Sequence, residues 1–166
     1  MAFDRYHAPF ISNYFYHVYN RTINNDLLFY SDENYNYFLR KWEKYIASYL
    51  DVYSYCLQPT HFHFLVKVKD TDNDQLNENI LDGFKRFLGG YSLAINKQQN
   101  RHGSLMQKRF KRIVIESDNY LLSLIHYIHH NPIHHGLTDS FLRLGTIHRT
   151  IQLYHRDKQR LREKNS

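Results

Sequence analysis

Cysteine is almost absent from this chain. Cys56 stands alone among 166 residues, which excludes an intrachain disulfide framework and fits a reducing compartment. It lies within an apolar, strand-forming segment, so its thiol reads as core rather than as a reactive group. Long apolar runs are missing too. No stretch approaches the length of a membrane span and none has the pattern of a secretory leader, so the expectation is a cytoplasmic protein without a membrane partner. No repeat or low-complexity linker divides the sequence. One domain is therefore expected over residues 1–166, with a core at about 13–137 and a helical extension at about 138–166.

Aromatic and basic residues, by contrast, are plentiful. Hydrophobic residues make up 42% of the chain and aromatic ones 16%, chiefly through 15 tyrosines, so a folded core is affordable. The formal charge is +6 and the pI about 9.3, which favours a polyanionic partner without selecting nucleic acid, since many basic proteins bind none.

Residues Asn13 to Arg21 alternate and are rich in tyrosine and valine, predicting a strand. Ser31, Asp32 and Glu33 offer a cap and early negative charge to a helix. Its buried stripe is Tyr35, Phe38, Leu39, Trp42, Tyr45, Ile46 and Tyr49. Two strands follow at about Val52–Gln58 and His61–Lys67, separated only by Pro59 and Thr60, as in a tight hairpin. The polar stretch Asp70–Asp74 leads into a second amphipathic helix whose apolar face carries Leu76, Ile80, Phe84, Phe87, Leu88, Tyr91 and Ile95. Gly89 and Gly90 weaken that helix and would let it bend or admit a close neighbour. Beyond the basic segment Lys108–Arg112 come a short strand at Arg112–Glu116, a helix from Asn119 to about His130, and a last basic helix within Phe141–Lys164.

The order β-α-β-β-α-β-α-α predicts an α+β, ferredoxin-like antiparallel sheet. Two helices pack on one face and the other face stays free for a site. The usual arrangement makes the first and third strands central.

The third of these strands carries "HFH". Strand side chains alternate, so His61 and His63 share one face while Phe62, Phe64 and Val66 point to the other, where a core can hold them. Such a pair is a candidate bidentate metal clamp. By itself it is more often a partly exposed polar face; it also occurs in zinc hydrolases, cupins and phosphoesterases, and imidazole does not choose among metals.

The third helix, "NYLLSLIHYIHHNP", has the buried stripe Leu121, Leu124, Ile125 and Ile128. Tyr127 and Asn131, four residues apart, project from one side next to that stripe, whereas His126 and His130 point well away. Pro132 disfavours helical geometry at Asn131, so the helix should end there. Tyr127 would by default be a packing residue, with Tyr120 the next candidate for chemistry. Asn131 before proline is also a common turn residue. His134 and His135 suggest a zinc cluster, but the proline turn would scatter these side chains. Glu116 and Asp118 read chiefly as residues that cap or flank the helix.

Taken together, "HFH", "YIHHN" and the block Gly103–Leu137, "GSLMQKRFKRIVIESDNYLLSLIHYIHHNPIHHGL", resemble the single-tyrosine HUH transposases, most of all their REP-associated tyrosine transposase branch. Gln107 and Phe110 belong to that block, and the similarity runs from about Tyr14 to Leu137. The resemblance implies that His61, His63 and Asn131 hold Mg²⁺ or Mn²⁺. It implies also that Tyr127 attacks a DNA phosphate, giving a 5′-phosphotyrosyl link and a free 3′-hydroxyl. The expected partner is single-stranded or hairpin DNA, with Lys85, Arg86, Arg101, Lys108, Arg109, Lys111 and Arg112 as candidate phosphate contacts. A monomer is mildly favoured, a homodimer being possible within the superfamily. Two other readings stay open: a non-catalytic descendant that binds DNA hairpins or RNA, and an unrelated His-x-His metal hydrolase.

Overall fold

A computed structural model describes residues 4–134, apart from the side chains of residues 129 and 131–134. The helix expected within Phe141–Lys164 and the residues His134 and His135 of the suggested zinc cluster lie outside what is described, in whole or in their side chains. In chain order the elements are β1 (Phe15–Arg21), α1 (Asp32–Tyr45), β2 (Leu50–Gln58), β3 (His61–Val68), α2 (Leu76–Gln98), β4 (Lys111–Val114) and α3 (Asp118–His134).

The strands form one antiparallel sheet in the order β2-β3-β1-β4, so β1 and β3 are central, as the sequence predicts. Pro59 and Thr60 close the β2–β3 hairpin, which pairs Gln58 with His61 and Cys56 with His63. β1 pairs Arg21 with His61 and Tyr19 with His63, which sets β1 directly beside the histidine strand.

α1 and α2 cover one face. Phe38 and Trp42 of α1 and Phe84 and Phe87 of α2 close over Phe62 and Phe64 of β3. Trp42 lies parallel to Phe64 at 4.0 Å between ring centroids, and Phe38 meets Phe87 edge-on at 4.7 Å, the two geometries aromatic quadrupoles favour. Ser31 takes the N-cap position of α1 in extended backbone, but its side chain makes no capping bond; instead Asn34 Oδ1 accepts from the Tyr30 N–H at 2.9 Å.

The close helix approach expected at Gly89–Gly90 occurs one to two turns earlier. A Cβ on Gly83 would lie 2.7 Å from the Tyr45 carbonyl oxygen, so only glycine lets α2 reach the end of α1. α2 runs unbroken through Gly89 and Gly90; a Cβ on Gly89 would meet nothing within 4 Å, whereas one on Gly90 would lie 3.1 Å from Lys41 Nζ, the far end of a flexible side chain of α1.

The opposite face is partly covered rather than free. Leu121, Leu124, Ile125 and Ile128 of α3 pack onto Phe15, Cys56, Leu65 and Ile115, so Cys56 is buried core, as its apolar setting predicts. α3 also runs past the expected stop and includes Pro132. Proline there forfeits one backbone hydrogen bond and crowds the carbonyl one turn back, a cost borne in the final turn of a helix already docked along its apolar stripe. Among the described residues no helix is long and apolar enough to cross a membrane.

Candidate active site

Strand alternation turns His17 and Tyr19 of β1, His61 and His63 of β3, and Lys111 of β4 toward the α3 side. These residues form a cluster beyond the apolar contacts of α3. His63 is buried (7% exposed), and its Nδ1 lies 2.9 Å from His17 Nε2. His17 Nδ1 in turn lies 3.2 Å from the Tyr120 hydroxyl oxygen. The other ring nitrogen of His63, Nε2, is buried with no hydrogen-bond partner among the described residues.

His61 stands perpendicular to His63, with ring centroids 5.2 Å apart and its Nδ1 3.0 Å from Thr60 Oγ1. Tyr127 meets the His63 ring edge-on, also at 5.2 Å, and is 45% exposed, so a substrate can reach it. Tyr19 spans the back of the cluster, stacked on His17 at 4.5 Å and facing His63 at 5.4 Å. Lys111 Nζ sits over the rings of Tyr19 and Tyr6, at 5.7 and 5.3 Å from their centroids.

Burial makes the imidazolium form costly. It pushes the His17 pKa down to about 4, and burial with the neighbouring His17 and His61 pushes that of His63 to about 3. Both rings are therefore neutral at ordinary pH, the state in which imidazole is a metal ligand. Burial also raises the pKa values of Tyr19 and Tyr120.

These residues fit a divalent cation. The fit rests on the buried Nε2 of a neutral His63, without a partner among the described residues, beside a second imidazole. Among the described residues no three His, Cys, Asp or Glu side chains converge on a metal position. Asn131 lies one helical turn after Tyr127 on α3, but its side chain is outside the described residues.

The basic residues separate by location. Lys111 faces the cluster, and Lys108 and Arg109 are exposed in the segment leading into β4. Lys85 and Arg86 lie on the outer surface of α2, on the far side of the sheet, where Arg86 pairs with Asp82 at 2.8 Å. Arg101 binds the carboxylate of Asp26 and, at 2.6 Å, Asn96 Oδ1. Arg112 is buried and donates to the carbonyls of Ala8 at 2.6 Å and His7 at 3.1 Å, pinning the N-terminal segment to β4. His126 and His130 stack on each other at 3.8 Å.

Sequence reasoning missed His17 and Tyr19. The signal was present, because both fall on one parity of the alternating first strand. What was lacking was the pairing that sets this strand beside His63. Tyr120, first considered as an alternative nucleophile, instead meets His17 through its hydroxyl.

No protein-family model matches the chain. A Haemophilus influenzae protein assigned to the REP-associated tyrosine transposases is 28% identical over 88 residues, which is 51% of this chain and 50% of that protein. The chain thus matches about half the length of this relative. In fold it is similar to the solved structure of a REP-associated tyrosine transposase bound to a REP hairpin. That match has a TM-score of 0.59 at 15% identity and covers 80% of this chain and 74% of the other. Sequence relative and structural neighbour are both described as REP-associated tyrosine transposases, the first similar over half of its length and the second in fold.

Proposed function

We propose that this protein is a metal-dependent nuclease and strand transferase of the transposase type. It cuts and rejoins single-stranded or hairpin DNA through a 5′-phosphotyrosyl intermediate on Tyr127. The observation that carries the reading is the exposed Tyr127 ring set edge-on against His63, whose buried Nε2 has no hydrogen-bond partner among the described residues. Similarity to REP-associated tyrosine transposases supports it, and the hairpin in the neighbour's structure suggests the form of the substrate.

His61, His63 and Asn131 would hold Mg²⁺ or Mn²⁺, whose chemistry there is Lewis-acid neutralisation of the scissile phosphate. The Tyr127 oxygen forms a bond to phosphorus as the bond from phosphorus to the 3′-oxygen breaks. The phenol gives up its proton and the departing 3′-oxygen gains one, leaving a 3′-hydroxyl. A neutral phenol is a weak nucleophile, so attack near neutral pH needs proton removal in concert with bond formation. The tyrosyl phosphodiester conserves the energy of the cleaved bond. A 3′-hydroxyl can therefore reverse the step or exchange strands without ATP.

Tyr127 lies against the histidine of its own chain, which favours attack in cis by a monomer. Lys111, on the face of the histidines, and the exposed Lys108 and Arg109 would meet the DNA backbone near the cut. Arg101 and Arg112 serve the fold first, through their bonds to Asp26, Asn96, Ala8 and His7.

The test is a labelled hairpin oligonucleotide with a single-stranded flank, incubated with wild type or Tyr127→Phe in Mn²⁺ or EDTA. A covalent adduct that requires both Tyr127 and metal is expected. Cleavage that survives Tyr127→Phe would sink the tyrosine mechanism, and tight binding without any adduct would leave a hairpin-binding module. Mixing Tyr127→Phe with His63→Ala should restore nothing; recovery of adduct would overturn attack in cis.

A further inference from the structure

We propose that His17 and Tyr120 are positioning residues that hold His63 in its Nδ1–H tautomer, so that the Nε2 lone pair faces the site. The inference rests on the reading of His63 as a metal ligand and extends it to residues beyond the clamp.

The argument is proton bookkeeping along a chain of three groups. With both imidazoles neutral, one hydrogen lies between His17 Nε2 and His63 Nδ1, which are 2.9 Å apart. Two directions are open. In the first, Tyr120 donates to His17 Nδ1 and His17 Nε2–H donates to His63 Nδ1. The His63 proton then sits on Nε2, as a buried N–H with no described acceptor. In the second, His63 Nδ1–H donates to His17 Nε2 and His17 Nδ1–H donates to the Tyr120 oxygen, 3.2 Å away. The buried Nε2 then carries only a lone pair.

A buried N–H with no acceptor is a defect that native structures rarely carry. The second direction avoids that defect and leaves a donor atom of the kind a cation takes. Histidine ligands characteristically give their other ring N–H to a fixed acceptor, which sets tautomer and ring orientation. Here the acceptor is a second histidine, itself anchored by a phenol and stacked under Tyr19 at 4.5 Å. His17 Nε2 is engaged with His63 in this arrangement, so His17 is not the third ligand.

The tautomer can be read without metal. In water the Nε2–H form of imidazole predominates, so an Nδ1–H His63 would mark a constraint. The ¹⁵N shifts of the His63 ring, recorded in metal-free protein above the ordinary histidine pKa, are expected to show Nδ1–H in wild type. His17→Phe should abolish that preference and weaken Mn²⁺ binding, measured calorimetrically, by about 10–100-fold. His17→Gln, whose amide oxygen can accept from Nδ1–H, should retain the tautomer and most of the affinity. Tyr120→Phe should shift both readouts in the direction of His17→Phe, by less. Circular dichroism of each variant separates these effects from unfolding.

An Nε2–H tautomer in wild type would overturn the proposal, as would an Nδ1–H tautomer indifferent to His17→Phe. Mn²⁺ binding lost as fully in His17→Gln as in His17→Phe would make His17 a ligand and overturn it too. The expected tautomer in a wild type that binds no Mn²⁺ would leave the relay standing and refute the metal reading alone.

Discussion

On the α1–α2 side of the sheet, Phe62, Phe64 and Val66 meet Phe38, Trp42, Phe84 and Phe87 in a layer of interlocking rings. On the α3 side, their strand neighbours His61 and His63 meet His17, Tyr127 and, through His17, Tyr120. The same strand supplies both surfaces, one residue apart. The helical side is apolar where it meets β3 and gains from every methylene it buries. The α3 side buries a ring nitrogen without a described partner, a cost tolerated where the atom has a task. One helix covers that face in part, and this leaves Tyr127 reachable.

Crossing the two faces by mutation gives the largest contrast. Phe64→Ala should destabilise the fold by about 3–5 kcal/mol, the range for truncating a large, fully buried aromatic residue. Tyr127→Phe removes one hydroxyl from an exposed ring and should alter stability by less than about 0.5 kcal/mol, while eliminating the covalent adduct. Denaturant melts and adduct yield per folded molecule measure the two axes. Equal destabilisation by both substitutions would mean that Tyr127 is a packing residue.

Acid sharpens the difference. In metal-free protein His17 and His63 have depressed pKa values, about 4 and about 3. Between those values and the ordinary 6.5, the unfolded chain binds protons that the folded chain does not. Stability therefore rises with pH in this window and falls as the pH drops below about 6.5. The two rings together should contribute a loss on the order of a few kcal/mol toward pH 4. The part between about pH 6.5 and 5 precedes most carboxylate titration. A double variant, His17→Gln with His63→Gln, should flatten the slope in that upper part. An unchanged slope would show that the site face does not store this cost.

The fold was legible in the sequence because its elements are strongly periodic. Alternation in β1, β3 and the stripes of Phe38, Trp42, Phe84 and Phe87 leave few ways to close one core. Boundaries were less legible. α3 continues through Pro132 because the local preference against helix before proline is weak beside the docking of Leu121, Leu124, Ile125 and Ile128. Backbone meets backbone at Gly83, while Gly90 faces only the end of the Lys41 side chain, a tertiary fact with no local signature. In the candidate site, motif and spacing singled out His61, His63 and Tyr127, whereas the place of His17 beside His63 depends on strand pairing. Basic residues were the least legible. Composition cannot tell Lys111, over Tyr19 and Tyr6, from Arg112, spent on the carbonyls of Ala8 and His7.

The smallest effect follows from that distinction. Lys111 stands on the face of the histidines, while Arg86 is paired with Asp82 behind the helical layer. If DNA approaches only the α3 face, Lys111→Ala removes one phosphate neutralisation from the complex and Arg86→Ala removes none. The salt dependence of hairpin binding should then become shallower by about one unit for Lys111→Ala and stay unchanged for Arg86→Ala. Fluorescence anisotropy across a salt series, with catalysis silenced by Tyr127→Phe, reads that slope directly. An equal change for both variants would mean that DNA also wraps the helical layer. The two faces would then differ in chemistry but not in contact with the substrate.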